Sequence, residues 1–163
     1  MWYVNSRAII ERNNQHGVEI VVQNRSKPDQ PATIELPGGR IEPYESLTEA
    51  LRREVKEETG LDIVEIEGYE TKVDTAGIES EFEVECIRPF AAYQTIRGPF
   101  DSVGYYFRCK VSGTLLTSGD GTTNVRWIPV DALRDMMRED PLQFSSVDRA
   151  GILFYLKHLE SKN

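Results

Sequence analysis

The sequence predicts an α/β fold. Three observations carry that expectation: β-branched and aromatic residues alternate in short strand-like runs, three other segments show helical spacing with readable ends, and no internal repeat or low-complexity stretch divides them. With 163 residues, 39% hydrophobic and 28% charged, the chain is expected to form one domain over residues 1–163 around a single core.

The elements follow in order. Residues 3–11 and 18–24 read as strands, and 33–36 as a short third after the loop "RSKPDQP". In "ELPGGRIEPYE", Pro37, Gly38 and Gly39 deny regular structure and permit close backbone approach to a ligand, so a tight loop is expected there. Ser46 and Glu49 then form a capping box, and Gly60 stands where a left-handed residue ends a helix, which places a helix over residues 47–59. Further strands are expected at 62–72, 81–87, 91–94, 105–111 and 124–128, with loops at "RGPFDS" and "TSGDGTTN". Pro129 opens a second helix over 129–139, and Ser145 with Asp148 caps a third over 146–160. On that last helix Val147, Leu153, Phe154, Leu156 and Leu159 are expected in the core.

The first helix has an unusual distribution of charge. At about 100° per residue, Leu47, Ala50, Leu51 and Val55 form an apolar arc, and Glu49, Arg52, Lys56 and Thr59 lie opposite it. Glu54 and Glu58 fall inside the apolar arc and Glu57 at its edge. On a solvated helix such repulsion costs about 0.2–0.5 kcal/mol per pair. Near a low-dielectric surface, two charges about 5 Å apart cost roughly 3 kcal/mol and call for a cation. The helix is therefore expected to project three carboxylates over the rim of the core into a cleft, where oxygen donors suit a hard ion such as magnesium.

From Gly39 to Leu61 the chain reads G-x5-E-x7-R-E-V-x-E-E-x-G-L, with Glu45, Arg53, Glu54, Glu57, Glu58 and Gly60 at the fixed places. This resembles the signature box of the Nudix hydrolases, and every specified position matches. The resemblance implies a mixed β-sheet sandwiched between α-helices. It also implies a metal-dependent attack by water on a nucleoside diphosphate linked to a further group. Glu54, Glu57 and Glu58, with the backbone carbonyl of Gly38, would ligate the ions, Mg2+ being expected and Mn2+ a substitute. Arg53 and Glu45 follow a different logic, since a guanidinium fork can hold carboxylates and fix their rotamers, orienting rather than reacting.

Proton removal needs a further carboxylate or a box glutamate. Many relatives carry a glutamate shortly before the tryptophan of the strand that precedes the first C-terminal helix. Here Thr123 and Asn124 occupy the matching stretch, Ser118 to Trp127, and neither accepts a proton at neutral pH. Asp120, on a glycine-flanked loop, and Glu57, beside the expected metals, are the candidates for general base, Glu57 being favoured.

A net charge of −8 disfavours long nucleic-acid polymers and leaves a small anionic nucleotide-type substrate, escorted by cations, compatible. No apolar run follows positive charge at the N-terminus, and nowhere do about 18 apolar residues stand together, so no membrane association and a cytoplasmic location are expected. A homodimer is left open. Cys86 and Cys109 are expected as buried free thiols, and His16 and His158 are too few for a histidine-rich zinc site or a Ser-His-Asp hydrolase.

Substrate recognition calls for an aromatic platform and cations, and residues 87–107 are richest in both. Arg88, Tyr93, Arg97 and Phe100 are the candidate substrate-binding residues, whereas Phe90, Tyr105 and Phe107 also read as strand core. No proline follows the box at the spacing some members use for ADP-ribose, so the resemblance implies a reaction and leaves the substrate open. Two other readings compete. A non-catalytic ligand sensor on the same fold would be expected to lose metal glutamates, and none is lost; an isopentenyl-diphosphate isomerase departs from the full box.

Overall fold

In the computed structural model, residues 2–119 and 121–162 are described. The chain enters as β1 (Trp2–Asn14), turns at Gly17 into β2 (Gly17–Arg25), and continues through β3 (Thr33–Glu35) and β4 (Gly38–Arg40) into α1 (Leu47–Thr59). Next come β5 (Asp62–Ile66), β6 (Val73–Asp74), β7 (Glu85–Cys86), β8 (Ala91–Gln94) and β9 (Asp101–Ser112). The last elements are β10 (Ser118–Gly119), β11 (Thr122–Pro129), α2 (Val130–Glu139) and α3 (Ser146–Glu160).

The main sheet runs β10-β11-β2-β1-β9-β5, with β3 added to β2, β4 to β1 and β8 to β9. It is mixed, because β1 lies parallel to β9 and antiparallel to β2 and β4. Alternation along β1 sends successive residues to opposite faces. Ala8 and Ile10 join Leu51 and Val55 of α1, while Ile9 joins Leu133 of α2 and Ile152 and Tyr155 of α3. The sheet is thus packed between helices, as the box resemblance implies. Among the described residues, no helix is long and apolar enough to cross a membrane.

The pairing of β1 is split along its length. Its far half pairs with β2 from Glu11 to Asn14, but its near half pairs with β4 from Asn5 to Arg7. Between these pairings β1 and β2 separate, and Ala8 N–H donates to the Pro37 carbonyl at 2.8 Å. The resulting crevice lies at the end of the sheet where Gln23 of β2 meets Glu35 of β3.

Several expectations are corrected. Pro37 does interrupt the chain, but Gly38 and Gly39 form strand rather than irregular loop. Gly38 sits at φ +145°, and a Cβ there would stand 2.5 Å from the Ser6 carbonyl oxygen, so only glycine lets β4 close on β1. The strand expected over 62–72 ends at Ile66 because Gly68, at φ +93°, turns the chain into a short 3-10 turn at Tyr69–Thr71. The strand expected over 81–87 shrinks to β7, leaving Phe82 and Val84 exposed, because alternation without a sheet to cover it forms no ladder. Conversely, β9 takes in part of the loop "RGPFDS" and grows to Asp101–Ser112.

On α1, Thr59 is fully buried rather than on the polar face, its hydroxyl donating to the Val55 carbonyl at 2.6 Å. On α3 the buried face is Gly151, Ile152, Tyr155 and Leu156, while Leu153 and Phe154 are each half exposed. The ring of Tyr106 occupies the space a Cβ on Gly151 would need, which draws that face of the helix onto the sheet. Cys109 is buried, whereas Cys86, on the isolated β6–β7 ribbon, is exposed.

Candidate functional site

The last two turns of α1 run beside the crevice. Arg53 grips Glu45 with two hydrogen bonds, Nε to Oε1 at 2.7 Å and Nη2 to Oε2 at 2.9 Å. Its third nitrogen donates to Glu54 at 2.8 Å and lies 3.5 Å from Glu57, and Nη2 also reaches the Arg40 carbonyl at 3.2 Å. One guanidinium therefore ties the box loop to the acidic turn. The hydrogen bonds from Arg53 hold the Glu45 carboxyl below the usual carboxylate range.

The three glutamates occupy three different depths. Glu57 is exposed, and Glu54 is half-buried against Gly39, where a Cβ would stand 2.7 Å from its carboxylate. Glu58, only 2% exposed, enters the crevice itself. There its Oε2 accepts from Gly38 N–H at 3.0 Å and from the Gln23 side-chain nitrogen at 2.7 Å. Burial pushes its carboxyl up to about 7, against the pull of those two hydrogen bonds toward the charged form, and the nearby Glu35 carboxylate raises it further. Gln23 also donates to Glu35 at 3.1 Å, and its own Oε1 is buried without a partner among the described residues.

The donor chemistry here fits a hard divalent cation. Carboxylate oxygens dominate, the glycines leave room beside them, and an orphaned amide oxygen lies in the same crevice. The carboxylates do not converge in this conformation: among the described residues no three acids are close enough together to enclose an ion. Arg53 holds Glu54 at 2.8 Å and lies 3.5 Å from Glu57. The general-base candidate Asp120 lies outside the described residues; its neighbour Gly119 packs directly on the Glu58 backbone.

A cleft of about 650 Å³ opens on the other side of Gly38 and Gly39. In a protein of net charge −8 its lining holds, among the described residues, four cations, Arg7, Arg25, Lys27 and Arg40, against one carboxylate, Glu35. Arg25 is committed to Glu35 through Nε, at 3.0 and 3.2 Å, and lies 3.7 Å from Glu58. Of the expected substrate-binding residues, Phe100 lines this cleft. Tyr93 stands behind it, hydrogen-bonded to Asn5 and Ser102, which do line it. Arg88 and Arg97 are exposed and are not part of the lining.

Sequence reasoning missed Arg7, Gln23, Arg25, Glu35 and Asn5. A signal for two of them exists in β1, where Asn5 and Arg7 share the face of the buried Ile9 yet are polar. A charged residue on the core face of a strand calls for a partner.

The family described as NUDIX domain matches residues 2–147. No curated protein matches the chain. Solved structures share its fold. One is described as a possible asymmetric diadenosine tetraphosphate hydrolase from Jonesia denitrificans, 14% identical, with 97% of this chain and 94% of that one covered at TM-score 0.68. Another is the NUDIX domain of Shewanella oneidensis NrtR complexed with ADP ribose, 18% identical, with 99% and 88% covered at 0.62. A third is the E. coli ORF135 protein, 20% identical, with 96% and 91% covered at 0.62.

Proposed function

The chain belongs to the NUDIX domain family and is a Nudix hydrolase, and from that premise we propose that it cleaves a phosphoanhydride bond of a small nucleoside diphosphate derivative in the cytoplasm. The observation that supports this reading most is the joint placement of Arg53 and Glu58. A guanidinium fork organises Glu45 and Glu54, while Glu58 is held in the crevice by the Gly38 amide, at the border of a cationic cleft.

In this reading Glu54, Glu57, Glu58 and the Gly38 carbonyl hold Mg2+, for which Mn2+ can substitute. When bound, the ion lowers the pKa of water and offsets charge on the phosphate oxygens. Glu57, the exposed member of the acidic turn, takes the proton from the attacking water. The water oxygen bonds to phosphorus, and the bridging oxygen leaves with the electron pair of the broken bond. Arg25, Lys27 and Arg40 face the substrate's negative charge from the cleft, and Arg53 orients the acids without touching substrate. The names of two structural neighbours, which mention ADP ribose and diadenosine tetraphosphate, support a nucleotide-type substrate.

The test is a panel of nucleoside triphosphates, nucleoside diphosphate sugars and dinucleoside polyphosphates incubated with magnesium, scored by released phosphate or monophosphate. Turnover of at least one that vanishes in Glu57→Gln is expected. A panel left intact, with ligands bound but never cleaved, would favour the sensor reading instead.

A further inference from the structure

Between β5 and β8 the chain leaves the main sheet and returns, and this excursion carries β6 and β7 as a two-stranded ribbon of their own. Its base is fixed. Gly68, at φ +93°, comes so close to Arg88 that a Cβ there would run into the Arg88 carbonyl oxygen, and Ile87 packs against the core on the α1 side of the sheet.

Register sorts the ribbon's side chains onto two faces. Val73 stands opposite Cys86 and Asp74 opposite Glu85. The pairing runs on to Val84, whose N–H donates to the Thr75 hydroxyl at 2.9 Å and whose carbonyl accepts from Thr75 N–H at 3.1 Å. Opposed residues share a face and successive ones alternate. One face therefore carries Val73, Thr75, Val84 and Cys86, and the other carries Asp74 and Glu85, which Lys72 gathers at 4.0 and 3.3 Å. The charged face satisfies itself. The apolar one stays open: Val73 is 64% exposed, Val84 55% and Phe82, two residues nearer the tip, 68%, with Cys86 exposed beside them.

A two-stranded ribbon is marginal in water unless its apolar side is covered. Charge limits what can cover this one. The excursion also holds Glu79, Glu81 and Glu83, so anionic bilayers and nucleic acids are repelled. A basic protein segment would set its cations against a face made of Val73, Thr75, Val84 and Cys86, which offers them no carboxylate. The match is an uncharged, apolar strand face of the same width, and a second copy of this chain supplies it. Packed face to face about a two-fold axis, two ribbons bury these side chains and turn Asp74 and Glu85 outward. At such exposures Val73, Phe82, Val84 and Cys86 present on the order of 400 Å² per copy. A pair hides about 800 Å², less than stable dimers bury and in the range of transient contacts.

We propose that the β6–β7 ribbon is the contact of a weak, two-fold symmetric homodimer, held by apolar packing against the mutual repulsion of two chains of net charge −8. Salt strengthens this dimer, because screening removes the repulsion and leaves the apolar contact. An interface of opposite charges responds with the other sign. The contact is independent of the hydrolytic reaction, so either can fail without the other.

Sedimentation of the full chain from about 5 to about 500 μM, in about 0.05 and 0.5 M sodium chloride, reads the association. The mean mass is expected to rise from one chain toward two, with a dissociation constant at least about threefold lower at the higher salt. Phe82→Ser and Val84→Ser should each raise that constant about tenfold or more, with melting unchanged because both side chains are exposed. If one variant does not fold, the other decides. Cys86 gives a second readout, since facing ribbons bring the two thiols within reach of a bis-maleimide spanning roughly 15 Å. Linked pairs are expected in the wild type and are lost in Cys86→Ser and in Val84→Ser, the other cysteine, Cys109, being buried. A chain that stays single at about 500 μM in both salts overturns the proposal. So does association that salt weakens, or that the folded serine variants leave at wild-type strength.

Discussion

Arg7 and Asp148 meet as two parallel hydrogen bonds, Nε to Oδ1 at 2.7 Å and Nη2 to Oδ2 at 2.8 Å, although 141 positions separate them in the chain. The same carboxylate accepts from Leu36 N–H at 2.9 Å and from the Tyr106 hydroxyl at 2.8 Å, and Arg7 Nη2 donates to the Leu36 carbonyl at 2.7 Å. One buried ion pair thus pins β1, α3 and the segment that leads into Gly38. Burial disfavours the guanidinium's charge, but Asp148 outweighs it and holds Arg7 protonated.

Truncating one partner of such a pair leaves the other charge buried and uncompensated. Asp148→Ala is expected to destabilise the protein by about 3–5 kcal/mol, and Asp148→Asn by less because the acceptor geometry survives in part. Urea unfolding measures both. A loss in Asp148→Ala within about 0.5 kcal/mol of zero, the range of ordinary surface changes, would show that the pair does not anchor α3.

The buried carboxyl of Glu58 makes the metal-free protein pH-sensitive. Its folded value, about 7, lies above the ordinary glutamate range, so between the two the folded state binds more protons than the unfolded one. Stability from this group is complete below the unfolded value and is lost as pH rises through about 7. In chelator the melting temperature should fall from pH 5.5 to pH 8, reflecting a loss of stability on the order of 3 kcal/mol at most, and Glu58→Gln should flatten the dependence. A wild-type profile that rises over this range would contradict it. Glu45 runs the other way: held low by Arg53, it loses its contribution only in acid.

A cation should reverse that penalty. Millimolar magnesium is expected to raise the melting temperature at pH 8 through mass action on the native state, and turnover should vanish in chelator and return with magnesium or manganese. Unchanged melting together with undiminished turnover in chelator would remove the ion from the reaction.

Arg53 and Glu57 should separate stability from chemistry. Glu57→Gln, at an exposed position, is expected to cost at least about a hundredfold in kcat with little change in melting. Arg53→Ala should lower both, since it releases Glu45 and Glu54 at once. Asp120→Asn is expected to keep near-normal turnover. A several-hundredfold loss there, with loss of the acidic limb of the pH profile, would make Asp120 the general base in place of Glu57.

What the sequence determined by itself was local. The capping box at Ser46, the left-handed Gly60 and the helical phase that puts Glu58 in the apolar arc depend on residues a few positions apart, and α1 forms over Leu47–Thr59 with Glu58 buried. The same holds for the cap of α3 at Ser145 and for β8. Tertiary structure decided which polar residues meet. Gln23 reaches Glu58 only because β1 abandons β2 for β4, and Asn5 reaches Tyr93 only through strand register across a glycine. It likewise decided that residues 81–84, alternating like a strand, form none, since a period of two specifies a face and not the sheet that covers it. Helical phase is carried by neighbours along the chain; strand pairing is carried by partners far from it, and a single sequence does not say which they are.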